Sequence, residues 1–370
     1  MSNDMRIAYI SLHWPRPVSS SVGKKINTQI NVWRQLGHSV EFFSHLHSPE
    51  KDEQLVDGQR FFYQNDKNIF SRELGRISAA KKLFESVRAF RPDVIYLRWG
   101  MYVHPMKMVF SIAPTVVEIN TNDYEEHKLL GLTEDLYNRL TRSLFLGNAA
   151  GHIYTSNEMA AEPVFSKFSK PFVVVANGIS LQTTPFYPAP SNHIPRLIFI
   201  GTPGMAWHGV DKLINFANKY SDTHIDIVGY DQADNSAESP TNVTFHGYLQ
   251  GESYEKLLAS ADAAIGTLSL HLKGMEEASP FKIRDCAARG IPCILPYKDT
   301  DLSDLNYPEI LNIPNTVDNI LSHGDDIHDF VKNMRGHRLD RKLTKNRIDI
   351  FRKEKRRVDF FNTICEQSKM

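Results

Sequence analysis

The segment EEASPFKIRDCAARGIPCIL (276–295) holds the residues best suited to chemistry. Ser279 can cap a helix over 280–289, Pro280 suits its first position, and Gly290 supplies the stop. The first turn of such a helix offers free N–H groups and the positive end of a dipole. Lys282 adds a full charge there, with Phe281 beside it. A diphosphate is the natural ligand of that combination. Asp285, three residues on and roughly on the same face, can accept hydrogen bonds from ribose hydroxyls. Glu277 lies just before the helix, facing the crevice where a sugar would sit. The same residues describe equally well an ordinary amphipathic surface helix with a cap and a Lys–Asp ion pair.

Other nucleotide signatures do not occur. GxGxxG is absent, GTPGMAWHG (201–209) has the wrong spacing for a dinucleotide site, and GKK at 23–25 lacks the rest of a P-loop. Asp299-Thr300-Asp301 has the Asp-x-Asp form that a divalent metal uses to bridge a nucleotide diphosphate. Set after Tyr297-Lys298 and before Leu302, it reads rather as a polar loop running into a helix cap. Fifteen histidines include no pair in a recognisable ligand set, so neither a metal nor a resident cofactor is expected. Cys286, Cys293 and Cys365 show no zinc spacing and no even disulfide framework; they read as reduced thiols of a cytosolic protein.

The elements that must position these residues alternate along the chain. Strands are expected at RIAYIS (6–11), VEFFS (40–44), DVIYL (93–97), TVVEI (115–119), GHIYT (151–155) and FVVVA (172–176). Helices fall at 24–37, where Ile26, Ile30, Trp33 and Leu36 form one stripe, and at about 72–90. Pro185, Pro188, Pro190 and Pro195 then break the chain, and a second series follows. It runs through RLIFIG (196–201), a helix from Val210 to Tyr220, IDIVG (225–229), VTFHG (243–247), a helix near 252–261, DAAIG (262–266), the helix 280–289 and IPCILP (291–296). Alternating strands and helices imply two α/β domains with doubly wound, mostly parallel sheets, which bind ligands at the carboxyl ends of their strands. The expected domains are 1–183 and 184–342, with 343–370 as a helix returning to the first.

The 370 residues, 41% of them hydrophobic, are enough for two cores. Net charge is zero, which offers no support for nucleic-acid binding. That zero is a sum of unlike parts. Residues 1–180 carry 21 basic and 18 acidic side chains, 181–342 carry 14 and 21, and 343–370 carry 8 and 4. Arg6, His13 and Pro15 interrupt any signal-peptide core, and no apolar run approaches the ~20 residues of a membrane span. A cytoplasmic location is expected, with contact at most at the inner membrane surface. The helix at 72–90 sets Leu74, Ile77, Leu83, Phe84, Val87 and Phe90 beside Arg72, Arg76, Lys81, Lys82, Arg88 and Arg91. It reads as a core helix with a solvated basic face, or as one that docks on anionic lipid.

Glu277 and Asp285, with seven residues between them and followed by CAARGIPCIL, resemble the E-x7-E signature of retaining GT-B-fold glycosyltransferases, family 4. SPFKIRDCAARGIPC is similar to a subgroup pattern written SPxKxxExxAxGxP. The Gly23 loop with LGHSV (36–40), RPDVIYLR (91–98), VVEINTND (116–123), ANGIS (176–180) and LIFIGTPGMAWHGVDKLI (197–214) resemble further family landmarks in matching order. Four positions depart from the pattern. Asp285 replaces a Glu; Thr202 and His208 stand where an Arg and a Lys usually contact the diphosphate; and Asn120 stands in place of a frequent His.

The resemblance implies a GT-B fold, two Rossmann-like domains facing a cleft with a C-terminal helix crossing back. It also implies transfer of a sugar, with retention and without metal, from a nucleotide-sugar donor to a glycan or lipid-linked acceptor, as in bacterial surface polysaccharide synthesis. Lys282 and Glu277 would serve catalysis. Gly23, Asn120, Gly201, Thr202, His208, Tyr248, Ser279, Phe281, Lys282 and Asp285 would hold the donor, Tyr248 lining the base pocket. Arg98, Glu118, Asn122, Asp123 and Glu126 cluster at strand ends and would meet the acceptor, although Arg98 and Glu118 equally suit a structural ion pair. A sugar-nucleotide epimerase of the same fold, or a non-catalytic nucleotide-sugar binder, are the competing readings.

Overall fold

The computed structural model describes residues 4–12, 18, 20–47, 54–64, 68–98, 100–125, 131–232 and 239–369. The chain divides into two compact units, Met1–Val175 with Ile350–Met370, and Ala176–Asp349. The first division lies eight residues before the expected limit at 183/184, and the second seven residues after the expected limit at 342/343.

The first unit is built on a seven-stranded sheet. Its strands are β1 (Arg6–Leu12), β2 (Ser39–His47), β3 (Gln59–Tyr63), β4 (Val94–Arg98), β5 (Thr115–Ile119), β6 (Gly151–Tyr154) and β7 (Phe172–Val174), in the order β3-β2-β1-β4-β5-β6-β7. Every pairing is parallel. Central strands such as β4 and β5 are buried on both faces, which is why VIYL and VV run without a polar break until Arg98 and Glu118 at their carboxyl ends. One face packs under α2 (Ile69–Phe90) and α3 (Leu132–Leu146), with Leu83, Phe84, Phe145 and Leu146 in a common core. The other packs under α1 (Ser21–Gln35), where Tyr9, Trp33, Tyr96 and Phe361 meet edge to face or tilted.

Phe361 comes from the far end of the chain. The expected helix over 343–366 is two helices, α8 (Arg341–Ile348) and α9 (Ile350–Gln367), separated by the extended backbone of Asp349. α8 belongs to the second unit and α9 to the first. Trp33 Nε1 donates to Glu354 of α9 at 2.9 Å.

The second unit repeats the architecture with β8 (Arg196–Ile200), β9 (His224–Val228), β10 (Val243–Phe245), β11 (Ala263–Ile265), β13 (Cys293–Leu295) and β15 (Ile310–Asn312). Their order is β10-β9-β8-β11-β13-β15, again all parallel. α4 (Val210–Lys219) and α7 (Asn319–Asn333) cover one face; α5 (Gly251–Ser260) and α6 (Phe281–Ala288) cover the other. A small ladder, β12 (Glu277–Ala278) with β14 (Lys298–Asp299), lies just before α6. The elements that the residue pattern does not announce are α3, α7, the edge strands β3 and β15, and this ladder.

In the first unit, charge is buried at the carboxyl end of β5. Glu118, fully enclosed, meets Lys25 of α1 at 2.9 Å, Arg98 of β4 at 3.2 Å and Arg357 of α9 at 3.3 Å. Burial alone would raise its pKa, but Lys25, Arg357 and Arg98 outweigh that and hold the carboxyl well below its ordinary range. Arg357 also pairs with Glu354 at 2.6 Å and donates to the Val175 carbonyl at 3.0 Å. Removing the central carboxylate would strand cations in the interior, whereas Gln would keep some hydrogen bonds. Glu118→Ala is expected to lower unfolding free energy by about 3–5 kcal/mol and Glu118→Gln by less, measured by urea denaturation.

Candidate functional site

In each sheet the strand order reverses direction beside the first strand of the unit, between β1 and β4 and between β8 and β11. Crossover connections leave such a pair toward opposite faces and open a crevice at the strands' carboxyl ends. In the second unit the loops of that reversal meet directly. Leu268 N donates to the His208 carbonyl at 3.2 Å and Ser269 N to the Trp207 carbonyl at 3.1 Å, so the segment after β11 is bonded to the segment after β8. Gly209, at φ +68, allows this approach: a Cβ there would lie 2.8 Å from Leu268 Cβ.

His208 occupies the floor of the crevice. Thr202 N faces its Nδ1 at 3.2 Å, and the hydroxyl of Tyr230, which follows β9, lies 2.8 Å from the same nitrogen. Its Nε2 lies 3.2 Å from Lys282 Nζ in the first turn of α6. The two positions are 74 residues apart in sequence, and the sheet brings them together. Gly201 is tight for the same reason, since a Cβ there would overlap the Tyr230 ring at 2.1 Å. Burial, then the neighbouring charge of Lys282, pushes the His208 pKa down to about 3, so the imidazole is neutral. Burial pulls Lys282 down to about 8. Lys273, on the segment after β11, lies 4.6 Å from the Trp207 ring centroid and adds a further positive charge.

α6 begins one residue later than its sequence suggests. Pro280 is the N-cap and no side chain caps the helix. Ser279 does not cap; its Oγ accepts from Asn177 N at 3.2 Å and its carbonyl from Asn177 Nδ2 at 2.9 Å. This places Phe281 and Lys282 at the first two helical positions, with their N–H groups open toward an anion. Glu277 is buried in β12 opposite Lys298, whose Nζ stands 3.9 Å from its carboxylate.

Other expected donor residues are placed differently. Asp285 is bound by Arg289 through one carboxylate oxygen and by the Tyr254 hydroxyl at 2.9 Å through the other; Arg289 is held in turn by Glu255 at 2.8 Å. A ribose at Asp285 would have to share or displace these partners. Tyr248 is 79% exposed beyond β10, with an open ring face. The Asp-x-Asp carboxylates belong to Arg284, which reaches Asp299 at 2.6 Å and Asp301 at 2.8 Å. That fully buried guanidinium occupies the position a metal would need.

In the first unit Gly23 lies within the first turn of α1, its N–H donated to Ser20 Oγ at 3.0 Å, rather than in an open loop. Asn120 braces the buried charge cluster, accepting from Lys25 Nζ at 2.7 Å and donating to Glu118 at 3.0 Å. Glu118 and Asp123 do not present carboxylates to a solute. The first is enclosed by its three cations, and the second is buried against Arg142 at 2.9 Å and Asn138 at 2.8 Å. Arg98 is the partly exposed arm of the Glu118 cluster. Asn122 differs, because its buried Oδ1 has no hydrogen-bond partner among the described residues. Glu126 lies outside the described residues. Sequence reasoning missed Tyr230 and Lys273; both follow strand ends at or beside the reversal, and only the strand order reveals that.

Residues 26–183 match the family model described as Glycosyltransferase Family 4. No curated protein matches the sequence. Solved structures are similar over nearly the whole chain. A glycosyltransferase from Rickettsia africae is 14% identical, covering 98% of this chain and 99% of its own at a TM-score of 0.65. Sucrose-phosphate synthase from Thermosynechococcus elongatus is 13% identical, with coverage of 97% and 98% and a TM-score of 0.64. Alr3699/HepE of Anabaena, in complex with UDP-glucose, is 12% identical, with coverage of 97% and 100% and a TM-score of 0.62. The chain therefore has the GT-B fold of these solved glycosyltransferases, and its residues 26–183 match the model of Glycosyltransferase Family 4.

Proposed function

We propose that the chain is a retaining glycosyltransferase, which moves a sugar from a nucleotide-sugar donor held by the second unit to a glycan or lipid-linked acceptor met by the first. The observation that carries this reading is the convergence of Lys282, His208 and the uncapped start of α6 at the strand reversal. Together they make a seat for a diphosphate. A solved neighbour holding UDP-glucose supports the same ligand class. Asn122, whose buried amide oxygen has no partner among the described residues, is the first-unit residue best suited to accept from an acceptor hydroxyl.

In the transfer, the bond between the anomeric carbon and the donor phosphate oxygen breaks and its electron pair stays on the phosphate. The acceptor oxygen bonds to the anomeric carbon and its proton passes to the departing phosphate. Lys282, the α6 N–H groups and a neutral His208 meet the charge that develops there. No metal has a part in this reading, because Arg284 holds both Asp-x-Asp carboxylates. Such catalysis rests on positioning and preorganised charge.

A lipid-linked acceptor, and with it a cytoplasmic protein working at the inner membrane face, is supported by one side of the first unit. Among the described residues no helix is long and apolar enough to cross a membrane. α3, however, exposes Leu132, Leu136, Leu140 and Leu144, and α2 exposes Phe70 and Leu74 in its first half and Lys81, Lys82 and Arg88 in its second. Both helices cover the same face of the sheet. Apolar and cationic groups on one side suit an anionic lipid surface.

Thermal-shift screening against UDP-, GDP- and ADP-sugars, followed by a nucleotide-release assay with candidate acceptors, tests the function. Stabilisation by one donor and acceptor-dependent release are expected. Stabilisation without release identifies a binder, and free epimer formed from donor alone identifies an epimerase. Lys282→Ala should cost about 2–4 kcal/mol of transition-state stabilisation, and full activity in a folded variant would exclude the site.

The pH dependence of nucleoside diphosphate affinity has a definite sign. Binding raises the Lys282 pKa above its free value of about 8, so affinity is full below pH 8 and weakens as pH rises through and beyond it. Titration calorimetry from pH 6.5 to 9.5 measures this, and an affinity that strengthens with pH contradicts it. Co-sedimentation with anionic vesicles should be salt-sensitive and reduced by a Leu136→Ser, Leu140→Ser double variant. No binding at low or high salt removes the membrane reading.

A further inference from the structure

A neutral imidazole carries one proton and one bare nitrogen; it can accept a hydrogen bond at only one of its two positions. Both nitrogens of His208 nevertheless face a donor. Nδ1 stands 3.2 Å from Thr202 N, and Nε2 stands 3.2 Å from the Lys282 amine, which in its ammonium form can only donate. Without a ligand the group is one acceptor short.

Tyr230 is the neighbour able to resolve this. Its ring is buried against the bare Gly201, and its hydroxyl lies 2.8 Å from His208 Nδ1 and 2.7 Å from the Thr202 carbonyl. A hydroxyl both donates and accepts. With the imidazole proton on Nδ1, Tyr230 accepts from His208 and passes its own proton to the Thr202 carbonyl, leaving Nε2 free to accept from Lys282. The Thr202 N–H, which is aimed at Nδ1, gives up that acceptor in this state. With the proton on Nε2, Tyr230 donates to Nδ1 instead, and Nε2–H and the Lys282 ammonium both point outward as donors.

We propose that Tyr230 is a positioning residue that lets His208 exchange tautomers. In the free protein Nε2 accepts from Lys282; an anion in front of the pair draws the proton to Nε2, so that His208 and Lys282 donate to it together. A neutral histidine thereby does part of the work of a second cation. The groups facing His208 are Lys282, Lys273, Tyr230, the Thr202 backbone and the rings of Phe199 and Trp207. None of them carries a carboxylate that would favour the imidazolium. The bound-state half rests on the diphosphate reading above; the free-state half stands without it.

Nitrogen NMR of protein labelled with 15N-histidine, with His208 assigned from a His208→Gln spectrum, tests both halves. The wild-type protein without ligand should carry its proton on Nδ1, and Lys282→Met, which removes the donor facing Nε2, should move it to Nε2. Tyr230→Phe keeps the ring but removes the acceptor for Nδ1–H, so its His208 should be protonated at Nε2 with or without UDP. Saturating UDP should exchange the two resonances in the wild type and leave them unchanged in Tyr230→Phe. The same tautomer in free wild type and free Tyr230→Phe overturns the role of Tyr230. A free-state difference without any response to UDP upholds that role and overturns the diphosphate reading instead.

Discussion

A parallel neighbour cannot be reached by a tight turn, and every strand pairing in both large sheets is parallel. Each connection must therefore cross over a face of its sheet. All strand carboxyl ends then collect at one edge, and where the order reverses no connection fills the space between neighbours. The segments after β8 and β11 occupy that edge in the second unit, and their backbone bonds lock them to one another. Once they are locked, the place of His208 is determined, and α6 delivers Lys282 beside it. The small residues of this region follow as steric necessities, Gly201 under the Tyr230 ring and Gly209 against Leu268.

The same edge of the first unit is handled differently. There the carboxyl end of β5 carries Glu118, and three cations from separate elements close over it. Buried polar groups need partners, and a carboxylate in this position draws them from α1, β4 and α9 at once. Residues that look available in a linear reading, such as Asn120 and Asp123, are consumed in this way. The polarity of the whole chain is sharpened by the observed division. The first unit carries a net charge of +6 and the second −6, so an anion bound at Lys282, as proposed, would be held within an acidic unit. Three positively charged or hydrogen-donating side chains near one another, Lys282, Lys273 and His208, are a local answer to that field.

Much of the fold was legible. Central parallel strands are mostly apolar on both faces, so the β-branched cores of RLIFI and TVVEI stand out, and the proline cluster at 185–195 follows closely on the change of unit. Edge strands hide because they are short or half exposed, as QRFFY is, and α3 hides because its leucines face outward, where periodicity gives the wrong sign. For the candidate site, residue type and spacing pointed to Lys282 and the family resemblance to His208, and the fold sets the two side by side. What spacing could not reveal was competition. Asp285 has the right offset for a ribose, but Arg289, one helical turn later, claims its carboxylate. Ser279 has the right offset for a cap, yet Asn177, 102 residues earlier, takes its hydroxyl. Tyr230 carries no motif at all and gains its position only through the pairing of β9 with β8.

The break at Asp349 has a consequence for biosynthesis. The first unit is discontinuous, and Glu354, Arg357 and Phe361 reach its core only after the whole second unit has been translated. On the ribosome, residues 4–175 emerge with the indole of Trp33 uncovered and Glu118 short of one cation, while residues 176–349 form a contiguous body that needs nothing later in the chain. Domains generally fold as they emerge, N-terminal first. Here the order of completion is inverted, and the leading half of the protein must wait, partly open and in need of shielding, for the segment made after its partner.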